Sequence, residues 1–589
     1  MSDLWVHPSL ILILGALLLP LVPSRLKKGY LFVVPLLAFA RVWTMQQGVF
    51  GQVQFLQWTL TFGRVDALSA IFGYIMALVS VIATLYGLHV KENGQHMAAW
   101  TYAAASLGAI FAGDLLTLFL FWELMALSSV FLVWYRRTPQ SIASGFRYLL
   151  VHMAGGVALL AGIILHSQAT GGDLSFTLFN VKDPSLAAWL VMIGFILNAA
   201  VPPLHAWLPD AYAEGTFNGS VFLSALTTKT AVYALCRGFA GLDLLVPLGV
   251  AMALYGVVYA VLENDCRRLL AYHIISQVGY MVAGVGLGTE LAINGACAHA
   301  FAHILYKGLL FMGAGTLLYA AGTAKLSELG GLFRRLPWAF LWYMVAAVSI
   351  SGFPLFSGFV SKTMTITGAA EAHHTWLALG MEVAAVGTFL SVGIKLPYFA
   401  WFGRPDPGIA LKPVPRNMYV AMTIAGLLCF YIGVQPGFLY QLLPNPVDYV
   451  PYTPWHVLQT LLLLGFTGLG FYLLRYKLTP EAKLNLDVDY FYRLIGRLVL
   501  AIARRPVEQI DDWWTEFYNR AGLRGMMKVA GGSVWFDRSA IDGVVDGTAV
   551  GVRRIGRTTT GAQTGRLQDY LAVAVLLGLA VFAVVWFAG

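Results

Sequence analysis

The chain has 589 residues, of which 58% are hydrophobic and only 11% are charged, and its mean hydropathy is +0.71. A soluble core could not bury so much apolar surface, so this composition indicates a polytopic membrane protein. The formal net charge is +9 at pH 7. Because most of the basic residues fall in loops and in the C-terminal tail, the charge gives no reason to expect nucleic acid as a partner.

The sequence gives no sign of a cofactor or a metal. Its four cysteines, Cys236, Cys266, Cys297 and Cys429, are scattered singly, without a CxxC pair. No Walker sequence is present, and no GxGxxG opens a βαβ unit. We therefore expect no iron–sulfur, zinc or nucleotide site, and no catalytic redox site, in this chain.

Sixteen apolar segments are candidate membrane spans, so the predicted fold is an all-α polytopic membrane protein. The first segment lacks a basic n-region and a cleavage site, which favours a retained helix over a signal peptide. The spans cover residues 8–23, 29–45, 66–89, 97–112, 114–134, 146–168, 186–206, 217–239, 245–264, 267–287, 291–321, 338–368, 376–401, 416–437, 454–475 and 569–588.

The distribution of basic residues predicts the orientation. They cluster in loops that follow odd-numbered spans: Arg25, Lys27, Lys28, Arg136, Arg137, Arg147, Arg267, Arg268, Lys325, Arg334, Arg335, Arg404, Lys412 and Arg416. All these loops lie on one side of the membrane, and the positive-inside rule makes that side cytoplasmic. We expect a multi-pass protein of the cell inner (cytoplasmic) membrane, with the N-terminus and the extreme C-terminus outside.

The region after Arg475 differs from the rest. The stretch DYFYRLIGRLVLAIARR places Leu494, Leu498 and Ile502 on one helix face, away from the arginines. This pattern predicts an amphipathic lateral helix on the cytoplasmic side, lying along the lipid bilayer or along neighbouring subunits. Pro506 should end or kink it.

One apolar helix carries three titratable residues at spacing i, i+4, i+8: His299, His303 and Lys307, in AHAFAHILYKGLLF. This spacing puts them on one stripe, about 6 Å apart per step. Each charged form costs roughly 2.5–3.5 kcal/mol at the centre of a membrane helix. The alternative is two hydrogen-bonded histidines and a snorkelling lysine, but Lys307 lies mid-segment. A proton or cation path is the favoured interpretation.

Two spans contain helix breakers. Pro202 and Pro203 interrupt span 7, and Pro354, between two glycines, interrupts span 12. Since the two breaks lie five spans apart, spans 4–8 and 9–13 would be two five-helix repeats of opposite orientation, as in secondary transporters. Lys229 in span 8 and Lys395 in span 13 then occupy corresponding helices.

This symmetry leads to a predicted domain division. It comprises N-terminal transmembrane helices (1–95), the first repeat (96–240), the second repeat (241–402), additional transmembrane helices (403–480), the lateral-helix region (481–566) and a C-terminal anchor (567–589).

Two more charges complete a row within the membrane. Glu123 lies deep in span 5, in LLTLFLFWELMALSS, and Lys362 follows the break in span 12. A buried carboxylate beside an ammonium group can hold or release a proton as its neighbours change, which is what a relay needs. The alternative, a static buried ion pair, is a poor source of stability because desolvation nearly cancels the attraction.

Several motifs resemble one family. FWELM, PLHAWLPDAY, LTTKTAVYALCR, RRLLAYHIISQVGYM, HAFAHILYKGLLF and GFPLFSGFVSK, over roughly residues 60–400, are similar to the antiporter-like subunits of respiratory complex I, membrane-bound hydrogenases and Mrp-type sodium/proton antiporters. The tail, FDRSAIDGVVDGTAVGV then GAQTGRLQDYLAVAV, resembles the distal, lateral-helix-bearing complex I subunit. The YHIISQVGYM portion resembles the D-type subunit of Mrp antiporters.

The resemblance implies roles for these residues. Glu123 would be the carboxylate of the first half-channel, Lys229 the link to the centre, and Lys362 the terminal exchange group. His299, His303 and Lys307 would form the relay between them. Other membrane subunits, both antiporter-like and small, would be the partners. Accessory candidates are His152, His205, Asp210, Lys395 and Asn198.

Asn198 departs from the family pattern. The family has a lysine seven residues before the histidine of PLHxWLPD, and here that position is Asn198. Asparagine cannot titrate, so either Lys229 or His152 serves Glu123, or the first half-channel is weakened. Our hypothesis is that Lys229 takes over as the partner.

Three functions are compatible with these features to different degrees. The favoured one is an ion-translocating subunit, moving protons with Na⁺ as the alternative, because histidine and lysine relays move protons and repel Na⁺. Its driving force would be redox chemistry in partner subunits or a counter-ion gradient, in a complex I-like oxidoreductase, a hydrogenase-type complex or a cation/proton antiporter. The second is a redox enzyme, but this sequence lacks the cofactor motifs that such an enzyme would need. The third is a non-conducting subunit that braces such a complex.

Overall fold

The structure is a computed structural model that describes residues 5–481, 487–504, 506–561 and 563–588. It divides into two units, Met1–Asp489 and Tyr490–Gly589. The chain is predominantly helical, in agreement with the predicted polytopic class.

The first unit contains nineteen α-helices in its described residues. They are α1 (Pro8–Leu18), α2 (Lys27–Trp43), α3 (Ala67–Tyr86), α4 (Asn93–Phe111), α5 (Leu115–Trp134), α6 (Pro139–Ala169), α7 (Leu186–Asn198), α8 (Trp207–Glu214), α9 (Gly219–Ala225), α10 (Thr227–Gly238), α11 (Leu245–Leu262), α12 (Cys266–Leu287), α13 (Glu290–Ala321), α14 (Pro337–Ile350), α15 (Ser357–Glu371), α16 (Thr375–Thr388), α17 (Arg416–Val434), α18 (Pro436–Tyr440) and α19 (Pro454–Leu474). Two π-helical segments, Phe389–Lys395 and Tyr398–Phe402, follow α16.

Ten helices of the described residues are long and apolar enough to cross a membrane, and three shorter apolar helices accompany them. Polar residues begin many of these helices. The side chains of Asp66, Asp114, Thr138 and Asp265 accept hydrogen bonds from the first-turn N–H groups of α3, α5, α6 and α12. The predicted count of sixteen spans stays a prediction.

A β-hairpin lies between α2 and α3, and the all-α prediction omitted it. β1 (Gly48–Phe55) pairs antiparallel with β2 (Trp58–Val65), with Gly48 opposite Val65 and Phe55 opposite Trp58. The hairpin is fixed to the helices because Asp114, which caps α5, accepts a hydrogen bond from Thr61 N at 2.6 Å. A short alternation of polar and apolar residues between two long apolar spans is a weak signal, so sequence analysis treated it as a loop.

Both predicted helix breaks are present. α7 ends at Asn198 and the chain becomes helical again at Trp207, while α14 ends at Ile350 and α15 begins at Ser357. Proline removes a backbone donor and clashes with the preceding turn, which explains both interruptions. A further interruption at Leu226, between α9 and α10, was not predicted.

The second unit is the tail. Its helices are α20 (Asp489–Arg504), α21 (Pro506–Phe517), α22 (Arg524–Phe536), α23 (Gly543–Gly561) and α24 (Leu567–Ala588), with π-helical segments Tyr518–Leu523 and Asp537–Asp542 between them. The predicted lateral helix therefore corresponds to a series of helical segments. Pro506 is the first residue of α21, a position where its missing N–H costs nothing.

Candidate proton-relay site

The helix α13 carries the predicted stripe through the interior of the first unit. His299, His303 and Lys307 are all 0% exposed. The ring centroids of the two histidines are 6.2 Å apart, as expected for neighbours one turn apart on one face. The structure thus places these three side chains in one buried row.

The members of this row differ in their partners. His299 Nδ1 lies 3.0 Å from Ser361 Oγ on α15, and its Nε2 lies 3.3 Å from the Tyr306 hydroxyl. Within the described residues, neither ring nitrogen of His303 nor Lys307 Nζ has a hydrogen-bond partner in the protein. Buried polar groups normally find partners, so His303 and Lys307 mark where ordered water would complete a network.

The other buried lysines contact helix ends. Lys362 Nζ donates to the carbonyl oxygen of Ile350, the last residue of α14, at 2.7 Å. Lys229 Nζ donates to the carbonyl oxygen of Ser224, in the last turn of α9, at 2.6 Å. Lys229 also donates to the Thr228 hydroxyl at 3.1 Å.

Lys395 also contacts the end of a helix. Its Nζ donates to the carbonyl oxygens of Val261, in the last turn of α11, at 2.5 Å and of Glu263 at 3.1 Å. The last carbonyls of a helix have no intrahelical donor, and the helix dipole places partial negative charge there. This stabilises an ammonium group by about 0.3–2 kcal/mol. These carbonyl oxygens offset part of the cost of burying an ammonium group, without the strong attraction of a carboxylate.

Glu123 lies in a close contact between α5 and α6. Its side chain is partly exposed rather than fully buried, and its Oε1 has no hydrogen-bond partner in the described residues. The carboxylate packs against Gly156: a Cβ atom built on Gly156 would lie 2.0 Å from Glu123 Oε1. A side chain at position 156 would therefore displace the carboxylate.

The hypothesis that Lys229 pairs with Glu123 is not supported. No ion pair involving Glu123 occurs in the described residues, and Lys229 Nζ is instead hydrogen-bonded to Ser224 and Thr228. The reason is local, since the break at Leu226 exposes carbonyls of α9 within reach of the lysine. Asn198, at the family's lysine position, is 1% exposed, and both its amide atoms lack partners in the described residues.

His152 is the other partner of Glu123 that was proposed from the sequence. Its Nδ1 lies 3.0 Å from the carbonyl oxygen of Tyr148, and its ring packs against Trp207 with centroids 4.5 Å apart. Its Nε2 is buried and has no partner in the described residues. Thus Glu123, His152 and Asn198 each present an unsatisfied polar atom, which suits a hydrated path better than a direct ion pair.

Two accessory candidates, Asp210 and His205, contact charged side chains outside the buried row on α13. Asp210 accepts two hydrogen bonds from Arg147, from Nε at 2.7 Å and from Nη2 at 2.9 Å. His205 Nε2 lies 3.3 Å from a carboxylate oxygen of Asp487, far along the chain. These contacts tie the α8 region to α6 and to the segment after α19.

Sequence analysis missed Asp487. Its side chain is buried, Tyr272 donates to it at 2.5 Å, and Tyr255 donates to its other oxygen. Burial alone would raise the pKa of Asp487, but His205 and the two tyrosine hydroxyls outweigh burial and hold that pKa below its usual range. No sequence signal joins it to the core, because the contact bridges more than two hundred residues.

His273 and Glu382 were missed as well. His273 Nε2 lies 2.6 Å from Ser391 Oγ, in the π-helical segment after α16. Glu382 accepts a hydrogen bond from Gln459 Nε2. His273 does stand within the family-like motif YHIISQVGYM, whereas Glu382 is one acidic residue in an apolar span and could have been found by the rule that such residues are functional candidates.

The arrangement can move protons but offers little for metal binding. Lysines at helix ends and histidines in a buried row are proton donors and acceptors separated by places suited to water. In the described part of the chain, no group of three or more His, Cys, Asp or Glu side chains could hold a metal ion.

Comparisons with known proteins show membrane subunits to which this chain is similar. The family model described as NADH:quinone oxidoreductase/Mrp antiporter, TM, matches residues 112–390. The NADH-quinone oxidoreductase subunit N of Desulforudis audaxviator is 30% identical over 429 residues, covering 67% of this chain and 84% of that protein. The D-type subunit of the Na⁺/H⁺ antiporter of Alkalihalophilus pseudofirmus is 28% identical over 372 residues, covering 59% of this chain and 75% of that protein.

A solved structure has the same fold. A chain of the Mrp complex from Dietzia sp. DQ12-45-1b superposes with a TM-score of 0.67 at 23% identity, covering 77% of this chain and 98% of that chain. At this identity the likeness shows the fold alone.

Proposed function

Because this chain belongs to the family of NADH:quinone oxidoreductase and Mrp antiporter membrane subunits, we propose that it translocates protons as one subunit of a multisubunit membrane complex. The driving force comes from redox chemistry in partner subunits or from a counter-ion gradient. The names of its relatives support both sources: one is a subunit of an oxidoreductase and the other of an antiporter.

The observation that carries the proposal is the buried row with its helix-end lysines. Lys229 and Lys362 are each held by carbonyl oxygens that a helix interruption leaves free, while Lys307 has no protein partner in the described residues. If these lysines had only a structural role, each buried charge should have a full set of hydrogen-bond or ion-pair partners. Partial stabilisation suits groups that gain and lose protons.

The path runs from Glu123 through Lys229 to Lys307, His303 and His299, and leaves by Lys362. His299 and Lys362 approach each other through α15, since His299 contacts Ser361, the residue before Lys362. Water completes the connections at the unsatisfied atoms of Glu123, His303 and Lys307.

The two inverted repeats are part of the proposal. The starts of α5 and α12, of α6 and α13, and of α7 and α14 are each separated by about 151 residues. The same spacing relates two isolated β-bridges, Asp114 with Ser175 and Asp265 with Lys325. It also relates His152 to His303, which supports a relay role for His152 in the first repeat.

The sixteen-span layout and the orientation are proposals of the same kind. Each of the pairs α7 with α8, α9 with α10, and α14 with α15 would make one interrupted crossing. The basic loops and the lateral helix would then face the cytoplasm, by the positive-inside rule.

Alanine substitutions in the intact complex test the function. In proteoliposomes with a pH-sensitive dye, Lys307→Ala and Lys362→Ala should each reduce proton translocation at least about tenfold, the scale expected for loss of a positioned acid–base group. Lys362→Arg should not rescue, because arginine hardly deprotonates. The control is Lys412→Ala, which alters an exposed lysine.

The non-conducting brace is the second candidate, favoured by the hydrogen bonds that Lys229, Lys362 and Lys395 make to helix ends, because such caps can serve stability alone. It predicts normal translocation by the assembled Lys307→Ala and Lys362→Ala complexes. That result would overturn the proposed relay.

A further inference from the structure

A cavity of about 300 Å³ lies between α15, α16 and α19. Its polar lining consists in large part of Lys362, Thr363 and Thr367 from α15, Glu382 from α16, and His456 and Gln459 from α19. The cavity can hold several waters, and its lining provides them with charged and hydroxyl partners. The relay described above ends at Lys362 and leaves Glu382 and His456 without a role.

Tyr280 of α12 contacts both Lys362 of α15 and the backbone of α16. Lys362 Nζ lies 5.3 Å from the centroid of the Tyr280 ring, within the range of a cation–π contact. The Tyr280 hydroxyl donates to the carbonyl oxygen of Met381, the residue before Glu382. One buried aromatic ring therefore contacts both the Lys362 ammonium group and the backbone next to Glu382.

The surroundings of Glu382 keep its carboxylate available to the cavity. Gln459 Nε2 donates to one carboxylate oxygen, which fixes its orientation. His456 Nδ1 lies 3.1 Å from the Pro451 carbonyl oxygen, which can only accept, so Nδ1 is the donor in this contact. Among the residues that line the cavity, Glu382 is the one carboxylate the structure describes.

The cavity lies toward the membrane side opposite the basic loops. Glu382 is the eighth residue of the continuous 28-residue helical span Thr375–Phe402, and His456 is the third residue of α19, so both lie in the N-terminal third of their spans. The π-helical segments beyond α16 lead instead to Asp406, which pairs with Arg335 of a basic loop at 2.9 Å. Lys362 thus has a polar route away from the basic side.

We propose that Glu382 is the proton acceptor for Lys362, and that the cavity between α15, α16 and α19 is the water-filled exit of the relay; this rests on the proposed translocation. The Lys362 ammonium gives one proton through water to the Glu382 carboxylate, leaving a neutral amine and a carboxylic acid. The acid then releases the proton to bulk water and becomes a carboxylate again.

The first experiment examines the cavity itself, independently of transport. The four native cysteines are buried, so single cysteines are introduced with little background. Thr367→Cys faces the cavity, while Thr365→Cys on the same helix is buried away from it. A membrane-impermeant thiol reagent, added on the side opposite the basic loops, should label Thr367→Cys in the intact complex at least about tenfold faster than Thr365→Cys. Equal labelling rates for Thr367→Cys and Thr365→Cys, or labelling of Thr367→Cys from the basic side alone, would overturn the proposal that this cavity is the exit of the relay.

The second experiment examines Glu382 in the assembled complex. Glu382→Gln should reduce proton translocation at least about tenfold, and Glu382→Asp should restore most of it, because a carboxylate on the same helix face is retained. The control is Glu371→Gln, an exposed acid at the end of α15, which should leave translocation unchanged.

The results separate two kinds of failure. If Lys362→Ala abolishes translocation while Glu382→Gln behaves as Glu371→Gln does, the assignment of Glu382 is wrong and the relay stands. If Lys362→Ala and Glu382→Gln are both silent although Thr367→Cys is labelled, the cavity is aqueous but the chain does not translocate, and both the proposed function and the role of Glu382 are wrong.

Discussion

At the scale of single residues, the contact between Glu123 and Gly156 shows how a glycine can fix a carboxylate. The missing side chain lets Glu123 Oε1 approach to a distance that no Cβ would permit. Gly156 provides space for the carboxylate rather than backbone flexibility, because it lies within the long helix α6. In the proposed repeat, the position equivalent to Gly156, at a spacing of about 151 residues, is Lys307.

Gly156→Ala should impair translocation by displacing Glu123. The added methyl group would lie 2.0 Å from Oε1 and 2.8 Å from Cδ, so the carboxylate must turn away. We expect a several-fold loss, measured with a pH-sensitive dye in proteoliposomes, similar to that of Glu123→Gln. The double variant should be no worse than either single variant, since both act on one group.

The control for this prediction is Gly155→Ala. Its added methyl group meets only the flexible methyl groups of Leu197, at 3.1 and 3.2 Å, and should leave translocation close to normal. If Glu123→Gln and Gly156→Ala are both silent while Lys307→Ala abolishes activity, the first half-channel is vestigial and conduction is confined to the second repeat.

At the scale of elements, helix interruptions create the lysine sites. The break after α14 leaves Ile350 O for Lys362, and the end of α9 leaves Ser224 O for Lys229. An uninterrupted helix would use these carbonyls internally, and each ammonium group would then be buried without an acceptor. Broken backbone is tolerated in a membrane protein where it is buried in protein or lines a cavity. Leu226 is buried, and Ser351 and Gly352 line the cavity beside Lys362.

Gly358→Ala should destabilise this element. A Cβ at Gly358 would lie 1.8 Å from the carbonyl oxygen of Ser349, so α15 must move away from the end of α14. We expect a loss of about 1–3 kcal/mol, the scale of overpacking, seen as a lower unfolding temperature of the purified complex in detergent. Translocation should fall with it, because Lys362 loses its fixed distance to Ile350 O.

Gly437→Ala is the matched control, because nothing lies within 4 Å of the added methyl group. It should unfold at the same temperature as the unchanged protein. Equal unfolding temperatures for Gly358→Ala and Gly437→Ala would show that the contact between α14 and α15 is not tight.

At the scale of the whole molecule, the residues after Arg475 belong to two different units. Residues from Tyr490 onward form their own unit, while Asp487 belongs to the first unit and contacts Tyr255, Tyr272 and His205. Removing everything after Arg475 would therefore delete a buried carboxylate of the first unit along with the lateral helices.

Two truncations separate these contributions. Ending the chain after Asp489 keeps Asp487 and should cost only assembly with distal partners, seen as a smaller complex on native gels. Ending it after Arg475 should in addition lower the unfolding temperature of the remaining chain, since His205 and the hydroxyl groups of Tyr255 and Tyr272 lose their partner. The point variant Asp487→Asn should reproduce part of that second effect.

Identical unfolding temperatures for the two truncations would contradict a structural role for Asp487. Normal assembly of the shorter chains with their partner subunits would reduce the tail to a membrane anchor.

The sequence by itself determined the class, the buried stripe and the helix breaks of this protein. Apolar runs, the four-residue spacing of His299, His303 and Lys307, and the prolines at 202 and 354 act through local geometry within one or two helical turns. These predictions are confirmed by the family, by the row of buried side chains on α13 and by the interruptions of α7 and α14. The hairpin of residues 48–65 was missed because its short alternation is a weak local signal.

Only the tertiary structure decided what each charge contacts. Lys395 finds its acceptor 134 residues away, and Asp487 reaches Tyr272 across 215 residues. Sequence reasoning assigned Lys229 to Glu123 because opposite charges attract, but the lysine takes the carbonyl of Ser224. Free carbonyls at helix ends, the space beside Gly156 and the cavity around Glu382 arise only when distant helices pack, because each is a property of the gap between elements rather than of any one segment.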